Sequence, residues 1–269
     1  ENIIKNAEIF NNEFGLSKEG INKTLIQEFA REDTVLSPMA AIFGGIAGQE
    51  VIKSVSSKFM PFEMFYTLAC MEALQPIDDP SFKVTLKNDR YDGYRLVFGD
   101  NQFEAMTRLT YFMVGAGAIG CELLKNWAMM GISKNGKIFV TDMDQIEKSN
   151  LNRQFLFRKN NIGQSKSLCA ANAVKVMNPD VNIEAQMNLV GKESEKIYNF
   201  DFYSNLSGIC NALDNTEARA YNDDQAVYFG KPLLESGTLG PMGHFQVVIP
   251  HLTLSYNSYK YPATKSIPE

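Results

Sequence analysis

Hydrophobic positions fall into two regimes along the chain. Over residues 1 to about 76 they recur at helical spacing, with Met39, Ile42, Phe43, Ile46, Val51, Ile52 and Val55 as the clearest run. Ser37-Pro38 ahead of that run reads as a helix N-cap followed by proline in the first turn. Gly44, Gly45 and Gly48 lie inside the same helix, where each glycine costs about 1 kcal/mol relative to alanine. Their presence predicts close approach of another backbone. Pro61 restarts a second helical segment, Phe62 to Leu74, rich in aromatic residues. Nothing in this region is catalytic in type, and it reads as a helical packing module.

Gln75-Pro76-Ile77-Asp78-Asp79-Pro80 is polar, holds two prolines and marks a boundary. Beyond it the pattern becomes an alternation. Tyr111-Phe112-Met113-Val114 is a short apolar strand running into a glycine loop, and Ile119, Leu123, Leu124, Trp127 and Met130 mark an amphipathic helix closed by Gly131. Lys137-Ile138-Phe139-Val140 is a second strand, and Ser165 to Met177 is a small-residue helix stopped by Asn178-Pro179. Ile209 to Leu213 and Pro232-Leu233-Leu234-Glu235 are two further short strands, with Phe245 to Ile249 as an added edge strand. Strands alternating with helices predict an α/β fold with a mostly parallel sheet and right-handed crossovers. The expected division is a helical segment over 1–76, a linker and domain opening over 77–110, and a nucleotide-binding domain over 111–269.

Composition removes several function classes. Twenty-six Lys and Arg stand against 31 Asp and Glu, a net charge of −5, and no basic block stands out. That argues against a nucleic-acid binder or a polybasic membrane anchor. The longest apolar stretch, Met39 to Gly48, is too short to span a bilayer. The opening Glu1-Asn2-Ile3-Ile4-Lys5-Asn6 lacks the charge and apolar core of a signal peptide, so a reducing compartment is expected. Cys70, Cys121, Cys169 and Cys210 form no C-x-x-C pair, which suggests neither a zinc site nor a disulfide framework. His244 and His251 are too few for a histidine metal cage.

The chemistry gathers around Gly115-Ala116-Gly117-Ala118-Ile119-Gly120, a full G-x-G-x-x-G between a strand and a helix. Such a loop turns tightly, admits a phosphate, and aims helix N–H groups at it. Asp142, at the end of the next strand, stands where an acid meets ribose hydroxyls. These two features alone favour a nicotinamide or flavin dehydrogenase. Asp144, on the same side of the strand end as Asp142, is one carboxylate more than a dinucleotide needs and suggests magnesium. Ser149-Asn150-Leu151-Asn152-Arg153-Gln154 then supplies a dense run of amide and guanidinium donors, suited to a polyphosphate or, more plainly, to a polar loop capping the sheet. Lys166 lies in the first turn of a helix, where a cation opposes the macrodipole unless a phosphate is near. Asp214-Asn215 follows a strand end, the crevice where open α/β sheets bind ligands, although Asp214 could equally cap the next helix.

Taken together, the glycine loop, Val140-Thr141-Asp142-Met143-Asp144, Glu147 to Phe155, Lys166-Ser167, Met177-Asn178-Pro179, Asn211-Ala212-Leu213-Asp214-Asn215 and Pro232 to Thr238 resemble the active adenylation domain of ubiquitin-activating enzymes. Upstream, Ser37-Pro38-Met39-Ala40-Ala41, Gly44-Gly45-Ile46-Ala47 and Gln49-Glu50-Val51 resemble the four-helix bundle between that family's inactive and active halves. Arg90-Tyr91-Asp92-Gly93 resembles the opening of the active half. The resemblance implies a Rossmann-like adenylation domain that uses ATP and Mg2+ to join the C-terminal glycine carboxylate of ubiquitin to AMP. It implies that Gly115, Ala116, Gly117 and Ala118 line the nucleotide pocket and that Asp142 binds ribose. Asn150, Arg153, Gln154 and Lys166 would hold the triphosphate, with Asn215 beside it, and Asp144 and Asp214 the magnesium; Arg153, Lys166 and Asp214 would be the catalytic set.

The implied partners are ubiquitin and its conjugating enzymes, with no nucleic acid and no membrane, in cytoplasm and nucleus. The resemblance also places an inactive adenylation half before residue 1, and a catalytic-cysteine domain and a ubiquitin-fold domain after residue 269. Tyr261 to Pro268 resembles the stretch leading into the catalytic cysteine. Activating enzymes for other ubiquitin-like proteins share these motifs.

Overall fold

The computed structural model describes residues 2–15, 20–23, 34–63, 66–68, 70, 74, 79–239 and 242–258. It divides into two units, Glu1–Tyr66 and Thr67–Glu269. The proline-rich boundary expected at 75–80 and the 261–268 stretch lie mostly or wholly outside the described residues. Among the described residues no helix is long and apolar enough to cross a membrane.

In the first unit, α1 (Asn2–Phe14) and α2 (Ser37–Ser56) are the described helices. Leu36 occupies the capping position of α2, so Ser37 and Pro38 form its first turn rather than cap and first residue. Among the described residues the close backbone contact expected at the α2 glycines is not found. A methyl group added at Gly44, Gly45 or Gly48 meets nothing within 4 Å, and α2 buries none of its residues. Its apolar positions, Ile42, Val51, Ile52 and Val55 among them, are exposed. Glycine there relieves no clash with any described residue. Gly48→Ala is therefore expected to stabilise the helix by up to about 1 kcal/mol and so raise the melting temperature slightly, and Gly48→Leu is expected not to lower the melting temperature, since no described residue stands where it would overpack. A thermal melt of both variants checks this.

The second helical segment expected from Phe62 is also absent among the described residues of 57–74. Ser57 and Phe59 take left-handed backbone angles, φ 53° and 62°, which carry the chain out of the helix. The Phe62 N–H then donates to Glu50 Oε2 at 2.8 Å. Its ring stacks on Tyr66, 5.2 Å between centroids, with the Lys53 ammonium 4.3 Å from the Phe62 ring.

The second unit is a six-stranded sheet in the order β3–β2–β1–β4–β5–β6. Its strands are β1 (Thr110–Val114), β2 (Lys137–Thr141), β3 (Ile183–Gln186), β4 (Gly208–Asn211), β5 (Leu233–Leu239) and β6 (Met242–Val248). All pairings are parallel except β5 with β6. Side chains alternate between faces, and both faces are covered. Met113, Ile138 and Val140 join one core with Leu124 and Trp127 of α4 (Ala118–Met130) and Ala170 and Val174 of α5 (Lys166–Met177). Phe112, Val114, Ile209 and Leu233 join the other, with Tyr203 of a short helix (Phe200–Ser204) and Ala226 of α7 (Thr216–Tyr228). Counting that short helix as α6, the arrangement is a doubly wound α/β sheet whose central parallel strands are buried on both sides, β3 at the edge being only partly so.

A further helix, α3 (Asp92–Thr107), fills the stretch expected as linker and domain opening, kinked at Gly99. Tyr91 anchors its start. The Tyr91 ring is buried against Gly131, and Asn178 donates to its hydroxyl at 2.7 Å. Arg95, 4% exposed, is held by Asp89 at 2.7 and 2.8 Å and by Asp92. The Arg95 hydrogen bond brings the Asp89 carboxyl down to about 2. A depressed carboxylate contributes stability that is present above its unfolded value near 4 and lost as pH falls toward 2. Asp89→Asn is expected to lower stability at neutral pH and to flatten its dependence between about pH 4 and 2, measured by urea unfolding across that range.

Candidate functional site

The glycine loop is set by two close backbone approaches. Gly115 leaves β1 with φ +100°, its N–H donating to the Thr141 carbonyl at 2.9 Å, and a Cβ there would overlap the carbonyl oxygen of Ala212. A Cβ on Gly120 would overlap the Gly115 carbonyl oxygen, so α4 packs directly on the turn. Gly117 is different. It caps α4 without a side-chain hydrogen bond, and a Cβ there would meet only Gln154 Nε2 at 3.9 Å. The first N–H groups of α4 thus start beside open space, the arrangement that receives an anion.

That space is a pocket of about 920 Å³ at the C-terminal ends of β1, β2 and β4. Eleven of the residues singled out from the sequence line it: Gly115, Gly117, Ala118, Asp142, Asp144, Asn150, Arg153, Gln154, Lys166, Asp214 and Asn215. Ala116 does not. It is fully buried, and its N–H donates to Asp142 Oδ2 at 2.7 Å.

Asp142 also accepts the Asp144 N–H at 2.9 Å, so its carboxylate is tied to the loop on one side and to its own strand end on the other. Burial pushes the Asp142 carboxyl up, opposed by the Ala116 and Asp144 N–H groups and by the Lys166 charge. Lys166 and Asp144 pair at 2.7 Å, and the Lys166 N–H donates to the Asp144 carbonyl at 3.1 Å. The expected phosphate cation and the expected metal carboxylate therefore face each other. The Lys166 side chain is 11% exposed and that of Asp144 55%. Asp214 is exposed and has no ion pair among the described residues. It does not cap α7; Asn215 does, accepting the Ala218 N–H at 2.8 Å.

The polar run after Glu147 forms a short 3-10 helix, Lys148–Asn152, closed by a capping box in which Asn150 Oδ1 accepts the Glu147 N–H at 2.9 Å. Gln154 is 4% exposed, and its Oε1 has no hydrogen-bond partner among the described residues. A buried amide oxygen left unsatisfied in a pocket wall is a place for a ligand donor. Arg153 is exposed and uses one guanidinium nitrogen on the Ser149 carbonyl at 3.1 Å and Asn152 Oδ1 at 3.2 Å. No group of three or more His, Cys, Asp or Glu is assembled among the described residues. Two carboxylates fit a magnesium ion whose other ligands are phosphate oxygens and water, and not a closed protein cage.

Several lining residues carried no signal in the sequence. Asn188, Leu189 and Val190 follow the short strand β3, and Arg219 comes from α7, whereas Thr238 of β5 closes the Pro232-to-Thr238 stretch already singled out.

Residues 91–269 match the model of the ThiF family. The chain is also 54% identical over 237 residues to "Ubiquitin-like modifier-activating enzyme 1" of Dictyostelium discoideum, covering 86% of this chain and 23% of that protein. The human protein of the same name is 52% identical over 238 residues, with 87% and 22% covered. "Ubiquitin-activating enzyme E1 2" of Triticum aestivum is 48% identical over 274 residues, with 100% and 26% covered. The chain thus spans about a quarter of the length of these relatives. With the ThiF match covering the whole sheet and the pocket built on it, the chain belongs to the ThiF family.

Proposed function

We propose that this chain is the adenylation module of a ubiquitin-activating enzyme, joining the C-terminal carboxylate of ubiquitin to the α-phosphate of ATP with release of pyrophosphate. The observation that carries the reading is the surplus of charged groups around the glycine loop. A nicotinamide site uses the loop and Asp142; the Lys166–Asp144 pair, Arg153 and Asp214, which line the same pocket, are then left with no ligand to meet. A polyphosphate with a divalent cation gives each of them one.

The nucleophile is a carboxylate, ionised at neutral pH, so the site needs no general base. Positioning and charge stabilisation suffice. The α4 N-terminus and Gly117 receive phosphate, and Asp142 accepts from ribose. Asn150, Arg153, Lys166 and the Nε2 group of Gln154 donate to the triphosphate, the Gln154 Oε1 being left for a hydroxyl or amino donor of the nucleotide, with Asn215 at the rim. The oxygen of the ubiquitin carboxylate forms a bond to the α-phosphorus as the bond to the pyrophosphate oxygen breaks, and the negative charge leaves on pyrophosphate beside Arg153 and Lys166. Asp144 and Asp214 would hold Mg2+, which supplies charge neutralisation of the phosphate oxygens.

The later thioester would form on a cysteine outside the described residues, followed by transfer to a conjugating enzyme. Burial pushes the Cys121 thiol up to about 12 and raises Cys169 and Cys210 as well, so these three are protonated at neutral pH and poor nucleophiles. We assign residues 1–76 to the helical bundle, 77–110 to the opening of the adenylation domain and 111–269 to its nucleotide-binding body, in an enzyme of cytoplasm and nucleus. Partner modules in the same enzyme would be the inactive adenylation half, the catalytic-cysteine domain and the ubiquitin-fold domain. Another ubiquitin-like protein as substrate would leave this pocket unchanged.

The test is a thermal shift of the chain with ATP and Mg2+ against the same concentration of NAD, followed by ATP–pyrophosphate exchange with ubiquitin in a chain of the relatives' full length. Stabilisation by ATP and Mg2+ and not by NAD is expected. Stabilisation by NAD alone overturns the reading.

A further inference from the structure

Beneath the rim of the pocket lies a buried ion pair that neither the nucleotide nor the magnesium reading uses. Arg219 on α7 is 6% exposed and Glu235 on β5 is 1% exposed. Arg219 Nη1 donates to Glu235 Oε1 at 2.7 Å. The other carboxylate oxygen accepts from Asn211 Nδ2 at 2.7 Å, and Asn211 Oδ1 accepts in turn from Asn222 Nδ2 at 2.9 Å. A buried pair of this kind contributes little net stability, because desolvation of both charges offsets their attraction. What it does fix is geometry.

The geometry is specific. The second guanidinium nitrogen, Nη2, donates to the carbonyl of Leu213, the residue directly before Asp214. Nη1 also lies 3.2 Å from His244 Nε2, and since a guanidinium cannot accept, that ring nitrogen is the acceptor. Gly237, paired with His244 across β5 and β6, leaves room for this arrangement; a Cβ there would overlap the guanidinium. β4 ends at Asn211, and the Ala212 N–H still donates to the Val114 carbonyl of β1 at 2.8 Å, so Leu213 is the first residue of the run toward the pocket mouth that the sheet does not hold. Asp214 at their end is exposed and has no ion-pair partner of its own among the described residues. Asn215, the cap of α7, holds the chain on the C-terminal side of Asp214, and the Leu213 carbonyl held by Arg219 is the tether on the N-terminal side.

We propose that Arg219, anchored by Glu235, is the positioning residue for Asp214: it orients the Leu213–Asp214 peptide so that the Asp214 carboxylate faces the pocket. The proposal rests on the reading of Asp214 as a magnesium-binding group. It predicts that loosening Arg219 weakens metal-dependent nucleotide binding through Asp214 and leaves metal-free binding in place.

The experiment measures ATP affinity of the chain by calorimetry, with and without Mg2+, for Arg219→Lys, Gly237→Ala, Asp214→Asn and the double variant Arg219→Lys/Asp214→Asn. Lysine keeps the charge and loses the fork; the alanine displaces the fork, and His244 with it, while leaving Arg219 unsubstituted. Both single variants at the tether are expected to weaken binding with Mg2+ about fivefold, to change binding without Mg2+ by less than about twofold, and to add nothing to the loss from Asp214→Asn. A merely structural role would weaken both modes together, and multiplicative losses in the double variant overturn the proposal. If Arg219→Lys fails to fold, Gly237→Ala decides alone. A second readout is the backbone amide resonance of Asp214 in the ligand-free chain, which is expected to shift in Arg219→Lys. If Asp214→Asn leaves the magnesium dependence untouched, the metal reading fails, and the amide resonance still decides the tether. An unshifted Asp214 amide overturns it.

Discussion

Lys166→Ala lowers ATP–pyrophosphate exchange by a factor of about ten or more, which is about 1.4 kcal/mol of transition-state stabilisation. The expectation follows from where the lysine sits. It is the first residue of α5, after the capping Ser165, where the macrodipole disfavours a cation by about 0.3–1 kcal/mol. It is nevertheless 8% exposed as a residue, and its ammonium is held against Asp144 at 2.7 Å. A cation kept in the wrong place for the helix and out of water has a use there, and the polyphosphate proposed for the pocket supplies it. Asp144 is more than half exposed in its side chain, so an exposed partner is lost cheaply, and relief of the dipole conflict works in the opposite direction. The melting temperature of Lys166→Ala should therefore stay close to wild type while exchange falls. Asp214→Ala, which removes a carboxylate with no ion-pair partner among the described residues, should do the same. Wild-type exchange in both variants sinks the assignment of Lys166 and Asp214 to phosphate and metal.

The parts of the fold legible in the sequence are those where burial is complete. β1, β2 and β4 are sandwiched between helices, so their sequences are continuous apolar runs, and the glycine loop between β1 and α4 has a backbone reason for its first and last glycines. β3 escaped because it is a four-residue edge strand, paired on one side only to β2, and its Glu184 bonds Lys137 of that strand at 2.7 Å instead of packing. α3 escaped because Gly99, with φ 73°, interrupts its period and because Arg95 and Thr107 are among its buried positions. The α2 glycines misled for the opposite reason: a missing side chain signals close packing only where something packs, and in this unit nothing described does. In the site, the candidate residues singled out from the sequence meet in one pocket, with Ala116 the exception because it is fully buried. Arg219 could not be, since a lone arginine on a helix reads as a solvated face. Its partner Glu235 is 16 residues further on, and only the parallel placement of β4 beside β5 brings the two together.

Gly115→Ala is expected to destabilise the second unit by several kcal/mol and to abolish the stabilisation by ATP and Mg2+. Two costs coincide at this residue. Its φ of +100° lies where an L side chain is strained, about 1–3 kcal/mol. The added Cβ would also overlap the Ala212 carbonyl oxygen, and backbone displacement by overpacking costs about 1–3 kcal/mol more. Ala212 lies two residues before Asp214, so the displacement travels into the pocket wall as well as the turn. Gly117→Ala separates the two effects. Its Cβ would meet only Gln154 Nε2 at 3.9 Å, in space that opens on the pocket. That variant should melt at the wild-type temperature or slightly above, while losing most of the shift with ATP and Mg2+, because the methyl group stands where phosphate must approach. Thermal melts of both variants, each with and without ATP and Mg2+, give the four values required. If Gly117→Ala retains the full nucleotide shift, the ligand does not lie against the α4 N-terminus, whatever Gly115→Ala does to the fold.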